Sequence, residues 1–323
     1  MNGAIIGLGH GKRVILEAFK LANINLIGVY SKNSKKNYAF SVKNKLKKKY
    51  KSEDDLISDK EIDLVAIAVP AYYQANLIKK CISYNKKIFC EKPIVVDYKL
   101  IRNISSYAKN SKKRIIVDYI FQKHEAFKKF KNLIPKLVTK NSKVNIIFKT
   151  QSFTNKNKIK NWKNNPKLGG GIINLYLPHI IAYIIFFFGR ISVCKKITKN
   201  NNFLKIQYIL KNGINVIVEI SSNDKKREHS ITYEDSNKFL ILKNTSNDYA
   251  KNFYIEQINI TKKIIKSISY DNKINTFKGD GRIFLVYNLL KSFFSNLNVK
   301  DHKKIIEEYF NIELVLDKTR RKL

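Results

Sequence analysis

Apolar residues run in short, nearly continuous blocks through the first third of the chain and thin into alternating patterns through the rest. Ala4-Ile5-Ile6-Gly7 predicts a short strand. Val14, Ile15, Ala18, Phe19 and Leu21 recur at helical spacing over Lys12–Leu21. Asn25–Tyr30 predicts a second strand, Tyr38–Tyr50 a lysine-rich helix, and Ile62–Val69 a third strand that is apolar almost throughout. Such unbroken runs suit parallel strands covered on both faces. Ala71–Tyr84 then reads as helix, Lys87–Cys90 as strand, Asp97–Lys109 as helix and Arg114–Tyr119 as strand. Five strands alternating with four helices predict a doubly wound α/β domain over residues 1–118.

Beyond residue 118 the alternation stops. Ala126–Leu137 reads as helix and Val144–Gln151 as strand, and the polar stretch Asn155–Pro166 leads to Gly169-Gly170-Gly171. Phe203–Leu210 and Ile214–Ile220 flank Asn212-Gly213, a dipeptide suited to the left-handed turn of a hairpin. Ser230–Tyr233, Phe239–Leu242 and Tyr254–Ile260 are further strand candidates, and helices near Arg282–Phe294 and His302–Leu316 follow. The expected architecture is a Rossmann domain followed by an α+β domain over residues 119–323, built on a mostly antiparallel sheet. Its role is expected to be substrate binding and oligomerisation.

The stretch Leu168–Gly189 carries no Lys, Arg, Asp or Glu. Asn174, Pro178 and His179 sit near its middle, and its apolar run Ile180–Phe188 is too short for the ~20 residues a spanning helix needs. A buried helix entered through a glycine loop is expected, with no membrane partner. Met1 leads straight into Ala4-Ile5-Ile6 with no basic segment or cleavage site, so no secretory signal is expected. Cys81, Cys90 and Cys194 stand far apart, which argues against a disulfide scaffold and for a reducing, cytoplasmic setting. Lys and Arg total 63 against 25 Asp and Glu, a net charge of +38. That excess predicts non-specific attraction to polyanions. The lysines are spread evenly among Asn and Ile, with no RNA-binding or zinc-finger signature, so no specific nucleic-acid partner is expected; a polyanion-binding protein stays as a lesser alternative.

Gly7-Leu8-Gly9-His10-Gly11 joins the first strand to the first helix. Glycines there let a pyrophosphate approach the backbone and rest on the helix N-terminus. The spacing departs from G-x-G-x-x-G, since the third glycine comes one residue early. At the end of the second strand an NAD site usually presents an acid to the adenosine ribose. This chain has Ser31 and Lys32 instead, with Lys35 and Lys36 following. A hydroxyl and cations suit a 2′-phosphate, so NADP is expected in preference to NAD. His10, His124, His229 and His302 are not grouped at metal-ligand spacing, and no metal is expected.

The fourth strand runs into Cys90-Glu91-Lys92-Pro93. Together with the N-terminal glycine turn, Val69-Pro70 closing the third strand, and the later Gly169-Gly170-Gly171 with His179 beyond it, this order of motifs resembles the Gfo/Idh/MocA oxidoreductases along nearly the whole chain. The resemblance implies that Gly7, Leu8, Gly9, His10, Gly11, Ser31, Lys32, Val69, Pro70, Glu91, Lys92 and Pro93 bind the dinucleotide. It implies a Lys92–Pro93 peptide that is often cis, and catalytic roles for Lys92 and His179. The reaction implied is hydride transfer between nicotinamide and a carbinol or ketone carbon of a sugar, sugar derivative or cyclitol, by an expected homo-oligomer. Two positions depart from the pattern: Leu175 and Ala182 stand where the family typically carries Asp. A catalytically degenerate, dinucleotide-binding regulatory protein is therefore the alternative.

Overall fold

The computed structural model describes residues 1–110, 115–134, 142–236, 238–261, 264–268, 273–294 and 299–323. They form two compact units: Met1–Asp118 with Lys167–Gly169 and Arg282–Leu314, and Tyr119–Pro166 with Gly170–Gly281 and Val315–Leu323. One switch between the units falls between Asp118 and Tyr119. The expected single second domain over 119–323 is interrupted, because the segment from Arg282 to Leu314 packs with the first unit.

The first unit runs β1 (Asn2–Ile6), α1 (Leu16–Leu21), β2 (Asn25–Tyr30), α2 (Ser34–Lys43), α3 (Glu53–Ser58), β3 (Leu64–Ile67), α4 (Ala71–Ser83), β4 (Lys87–Cys90), α5 (Lys99–Asn110) and β5 (Ile115–Val117). Its strands pair in parallel in the order β2-β1-β3-β4-β5. Every residue of β3 is buried, as are Ile88, Phe89 and Cys90 of β4. Helices on both sheet faces explain why the sequence shows runs rather than alternation. Strand order reverses direction between β1 and β3, so the turns after these strands flank the crevice where doubly wound folds bind ligands.

The expected helix Tyr38–Tyr50 is displaced. Helix α2 starts earlier, because the Asn33 side chain accepts from Lys36 N at 2.9 Å, and it ends at Asn44, followed by Lys45 at φ +50°. The chain then lays Tyr50 against Gly28, where a Cβ would come within 2.2 Å of the ring. Tyr50 Oη donates to Asp59 Oδ2 at 2.7 Å. Burial alone would raise the Asp59 carboxyl; hydrogen bonds from Lys48, the Glu61 backbone and Tyr50 outweigh it and hold the group at about 2. Helix α3 was not expected, although Ser52 caps it and Glu53, Asp54 and Asp55 fill its first turn.

The second unit contains α6 (Glu125–Leu133), β6 (Lys143–Gln151), α7 (Phe153–Lys156), α8 (Gly171–Phe188), β7 (Ile191–Lys199), β8 (Phe203–Leu210), β9 (Asn215–Ser221), β10 (Asn223–Asp235), β11 (Lys238–Asn244), β12 (Tyr254–Asn259), β13 (Ile264–Ile268) and α9 (Lys273–Thr276). Its eight strands lie in the order β13-β12-β11-β10-β6-β9-β8-β7, antiparallel except at β6–β9. Strands β7 and β13 were not anticipated, and β10 is longer than Ser230–Tyr233. The Asn212-Gly213 hairpin joins β8 to β9, with Gly213 at φ +87°. Helix α10 (Gly281–Phe294) and α11 (Val299–Arg320) return the chain to the first unit through Leu314. Arg114 and residues 135–137, expected as strand and helix, lie outside the described residues.

By length and composition alone α8 is apolar enough to cross a membrane, but 67% of it is buried inside the protein. It packs on β8 and β9 and is entered through Gly170, where a Cβ would lie 2.3 Å from Trp162 O. Among the rings on its inner side are two buried histidines. His124 caps α6: its Nδ1 accepts from Ala126 N at 3.0 Å and its Nε2 faces Ala250 O at 2.8 Å, which fixes the neutral Nε2–H tautomer. His229 on β10 lies edge-on to Phe121, Phe127, Phe148 and Phe253.

Burial pushes His124 down to about 4 and His229 to about 3. A histidine whose folded value is depressed contributes stability that is complete above its unfolded value, ~6.5, and is lost as pH falls below it. Each should remove about 1.4 kcal/mol per pH unit between ~6.5 and its folded value. His229→Phe suits the surrounding rings and removes one of the two titrations. Thermal melts from neutral pH downward should therefore show a shallower acid limb in this variant; an unchanged limb would refute the assignment.

Candidate active site

The glycine turn follows β1. Gly7 sits at φ +102°, donates its N–H to Tyr30 O at 2.8 Å, and would place a Cβ 2.3 Å from Ala68 O. No other residue fits there. Gly11 would meet Ile5 at 2.6 Å, so it permits close helix–strand packing. Gly9 differs, for nothing lies within 4 Å of its absent Cβ. The protein's own packing does not require glycine at that position, whereas a pyrophosphate approaching the backbone does. The early third glycine is accommodated by a π-helical first turn, Gly11–Ile15, before α1. These residues fit the phosphates of a dinucleotide.

After β2, Ser31 Oγ donates to Asn37 Oδ1 at 2.7 Å and Asn37 Nδ2 donates to Ser31 O at 2.6 Å. Lys32 Nζ lies 4.0 Å from the centre of the Tyr73 ring. This lays the cation across the start of α4, just past Val69 and Pro70; Pro70 is the N-cap of α4. From Tyr30 to Lys36 there is no carboxylate to repel a phosphate.

After β4 the Lys92–Pro93 peptide is cis. Two buried side chains hold the segment around it: Gln74 Nε2 donates to Pro93 O at 2.8 Å, and Ile94 N donates to Glu313 Oε1 at 2.7 Å. Glu91 meets partners that the sequence did not suggest. His10 Nε2 lies 3.0 Å from Glu91 Oε1 and 3.8 Å from Asp118 Oδ2. Burial and then the charge of Glu91 push the Asp118 carboxyl well above its ordinary range, opposed by Lys92 and Arg282. One ligand atom from each of His10, Glu91 and Asp118 lies within 4.8 Å of the others, a spacing that a metal ion tolerates. The cations Lys92 and Arg282 beside them make a further positive charge unfavourable. Sequence spacing could not find this group, because its members are 108 residues apart along the chain; the expectation made of the histidines was that they are not grouped with one another.

In the second unit His179 lies buried on α8, with Phe121 edge-on at 5.4 Å and Tyr119 at 6.5 Å. Asn174 does not replace the family's acid at Leu175. Its Nδ2 donates to Gly170 O at 2.9 Å, and its Oδ1 accepts from Arg320 Nε at 2.9 Å. Gln122 Nε2 donates to Ala182 O at 3.4 Å. On β10 Arg227 is held by Asn247 O and by Thr150 Oγ1, and lies 5.8 Å from the Tyr249 ring.

Residues 1–119 match the model of the oxidoreductase family with an NAD-binding Rossmann fold. An oxidoreductase of Synechocystis is 23% identical over 188 residues, 58% of this chain and only about half, 51%, of the relative. An oxidoreductase of Formosa agariphila is 24% identical over 292 residues, covering 84% of this chain and 86% of its own. A 3-ketoreductase from Actinomadura kijaniata, solved with NADP and TDP-benzene, superposes with a TM-score of 0.80 over 98% of this chain and 96% of its own at 11% identity, which establishes a shared fold. With the glycine turn, the Glu91-Lys92-Pro93 segment and the parallel sheet between them already in place, residues 1–119 match the NAD-binding Rossmann domain of the Gfo/Idh/MocA oxidoreductase family.

Proposed function

We propose that the protein is an NAD(P)-dependent dehydrogenase or reductase acting on a carbinol or ketone carbon of a sugar, sugar derivative or cyclitol, with NADP preferred. One observation carries the reading: Lys92 lies two residues past the end of β4, at the same sheet edge as the open glycine turn after β1, only two strands away. The Actinomadura relative's NADP and nucleotide-like ligand support both the cofactor and the substrate class by fold. Nicotinamide, when bound, gives or takes the hydride. The chain's own residues handle the proton and the charge. Lys92 puts a cation beside the substrate oxygen, whose charge changes as hydride moves, and exchanges the hydroxyl proton. His179 is the second proton carrier, with a near-neutral unperturbed pKa. Gly7, Leu8, Gly9, His10 and Gly11 hold the pyrophosphate, Ser31 and Lys32 the adenosine 2′-phosphate, and Val69, Pro70, Glu91 and Pro93 line the dinucleotide.

A second reading is favoured by one feature: aromatic edges surround His179, while Leu175 and Ala182 stand at the acid positions. On that reading the protein binds the dinucleotide without turnover.

Lys92→Met keeps most of the side-chain bulk and removes the ammonium. Loss of a transition-state contact of about 3–4 kcal/mol should lower kcat by roughly 10²–10³-fold with little change in Tm. Wild-type turnover by this variant, in steady-state assays over a polyol and sugar panel, would exclude the role.

NADPH should bind more tightly than NADH, by ~1–3 kcal/mol for charge-assisted contacts to the 2′-phosphate. Ser31→Asp should weaken NADPH far more than NADH in calorimetric titrations. Equal losses for the two cofactors would reverse the preference.

His179→Asn should abolish one limb of the kcat–pH profile while cofactor Kd stays constant. Tight NADPH binding with no turnover of any sugar or polyol by the wild-type protein would instead establish the regulatory reading.

A further inference from the structure

Three turns of the parallel sheet bring His10, Glu91 and Asp118 together within the first unit. His10 comes from the turn after β1, Glu91 directly follows β4 and Asp118 directly follows β5. Asp118 is 3% exposed, and its Oδ1 and Glu91 Oε1 are both buried atoms, the latter 3.0 Å from His10 Nε2. Burial and the neighbouring Glu91 charge disfavour the ionised form of Asp118. The groups that face them give the same balance. Lys92 and Arg282 bring positive charge to Asp118. Cys90, fully buried, has its thiol pushed up by burial and then by Glu91, Glu313 and Asp118. The Tyr309 hydroxyl is raised by burial, with smaller contributions from Glu308, Cys90 and Asp118. Neither Cys90 nor Tyr309 therefore adds a negative charge, and Glu313 is engaged by Ile94 N. The His10 side chain is 23% exposed, so it reaches solvent, while Asp118 does not.

We propose that Glu91 and Asp118 share one proton and that His10 exchanges it with water, so that the three side chains form a proton relay serving Lys92. The use of the relay rests on the proposed dehydrogenase function; the shared proton does not. With the hydride taken up by a bound nicotinamide in the oxidative direction, one N–H of the Lys92 ammonium would break as an O–H forms on the carboxyl pair, and the hydroxyl proton would replace it on Lys92. The pair's resident proton moves to His10 Nε2, and the imidazolium loses its Nδ1 proton to water. The charge of the pair is unchanged through the cycle, and reduction runs the same steps backward. Asp118 and His10 are thus positioning residues acting through Lys92.

The test uses the full chain. Infrared spectra at neutral pH should contain the carbonyl stretch of a protonated carboxyl, and Asp118→Asn, the isostere of the protonated acid, should abolish it. Because an acid with a raised folded value loses stability as pH rises through that value, Asp118→Asn should also flatten the alkaline fall in Tm. If Asp118→Asn fails to fold, Glu91→Gln replaces it, with loss or displacement of the same band expected. In turnover, Asp118→Asn and His10→Gln should each lower kcat roughly tenfold or more and raise the solvent isotope effect, His10→Gln should be rescued by added imidazole, and Asp118→Asn should leave the Kd for NADPH within about twofold. Absence of the carboxyl band in the wild-type protein would overturn the shared proton even if turnover is normal. A band without any kinetic effect of the two variants would overturn the relay. A tightly held divalent ion, co-purifying with the wild type and lost in Asp118→Asn, would overturn both. Failure of NADPH to bind at all would remove the dehydrogenase reading and the relay with it, while the band would still decide the shared proton.

Discussion

A parallel sheet sends every chain reversal across its faces, and from that constraint the geometry of the first unit follows. Each strand must be left at its carboxyl end and re-entered at its amino end, so the βα turns gather along one edge. The sheet order β2-β1-β3-β4-β5 puts the turns after β1, β3 and β4 side by side, and β5 adds Asp118 next to β4. Residues as far apart in sequence as His10 and Asp118 meet for no other reason. The apolar strands that make this possible tolerate no polar residue in their interior, and chemistry is confined to the first residues beyond them: Gly7, Ala68 to Pro70, Glu91 and Asp118.

The sequence revealed what local physics controls. Runs without alternation identified the parallel strands, Asn212-Gly213 identified its hairpin, and Gly169-Gly170-Gly171 identified the entry to α8. It misjudged elements whose limits depend on distant partners. Lysine spacing alone placed a helix over Tyr38–Tyr50, yet the chain leaves the helix at Asn44 because Tyr50 packs on Gly28 and bonds Asp59. Strand β7 exposes six of its nine residues, and an edge strand so wet carries little apolar pattern to read. Helix α3 was legible in Ser52 followed by three acids and was passed over.

The site divides the same way. Gly7, Lys92 and Pro93 announce themselves because a backbone conformation or a motif order singles them out. Asp118 carries no such mark, and neither does His10 as a partner of Glu91; only the sheet order creates that contact. Glu313 is a similar case, contributed by α11 more than 200 residues after the segment it holds. Its buried carboxyl accepts the Ile94 N–H, which satisfies both a backbone donor and one carboxyl oxygen away from water.

The two departures from the family pattern gain a physical reading when the two units are compared. In the second unit burial pushes the His124 and His229 imidazoles down, and His179 lies edge-on to Phe121. Acids at 175 and 182 would face an apolar helix, where an unpaired carboxylate is expensive. The first unit instead supplies two carboxyls, an imidazole and two cations around one short segment. A chain that has lost acids beside His179 therefore still holds proton-exchanging groups, and they lie next to Lys92. On the proposed function, Leu175 and Ala182 do not by themselves imply loss of catalysis, because proton-exchanging groups stand beside Lys92 within the first unit.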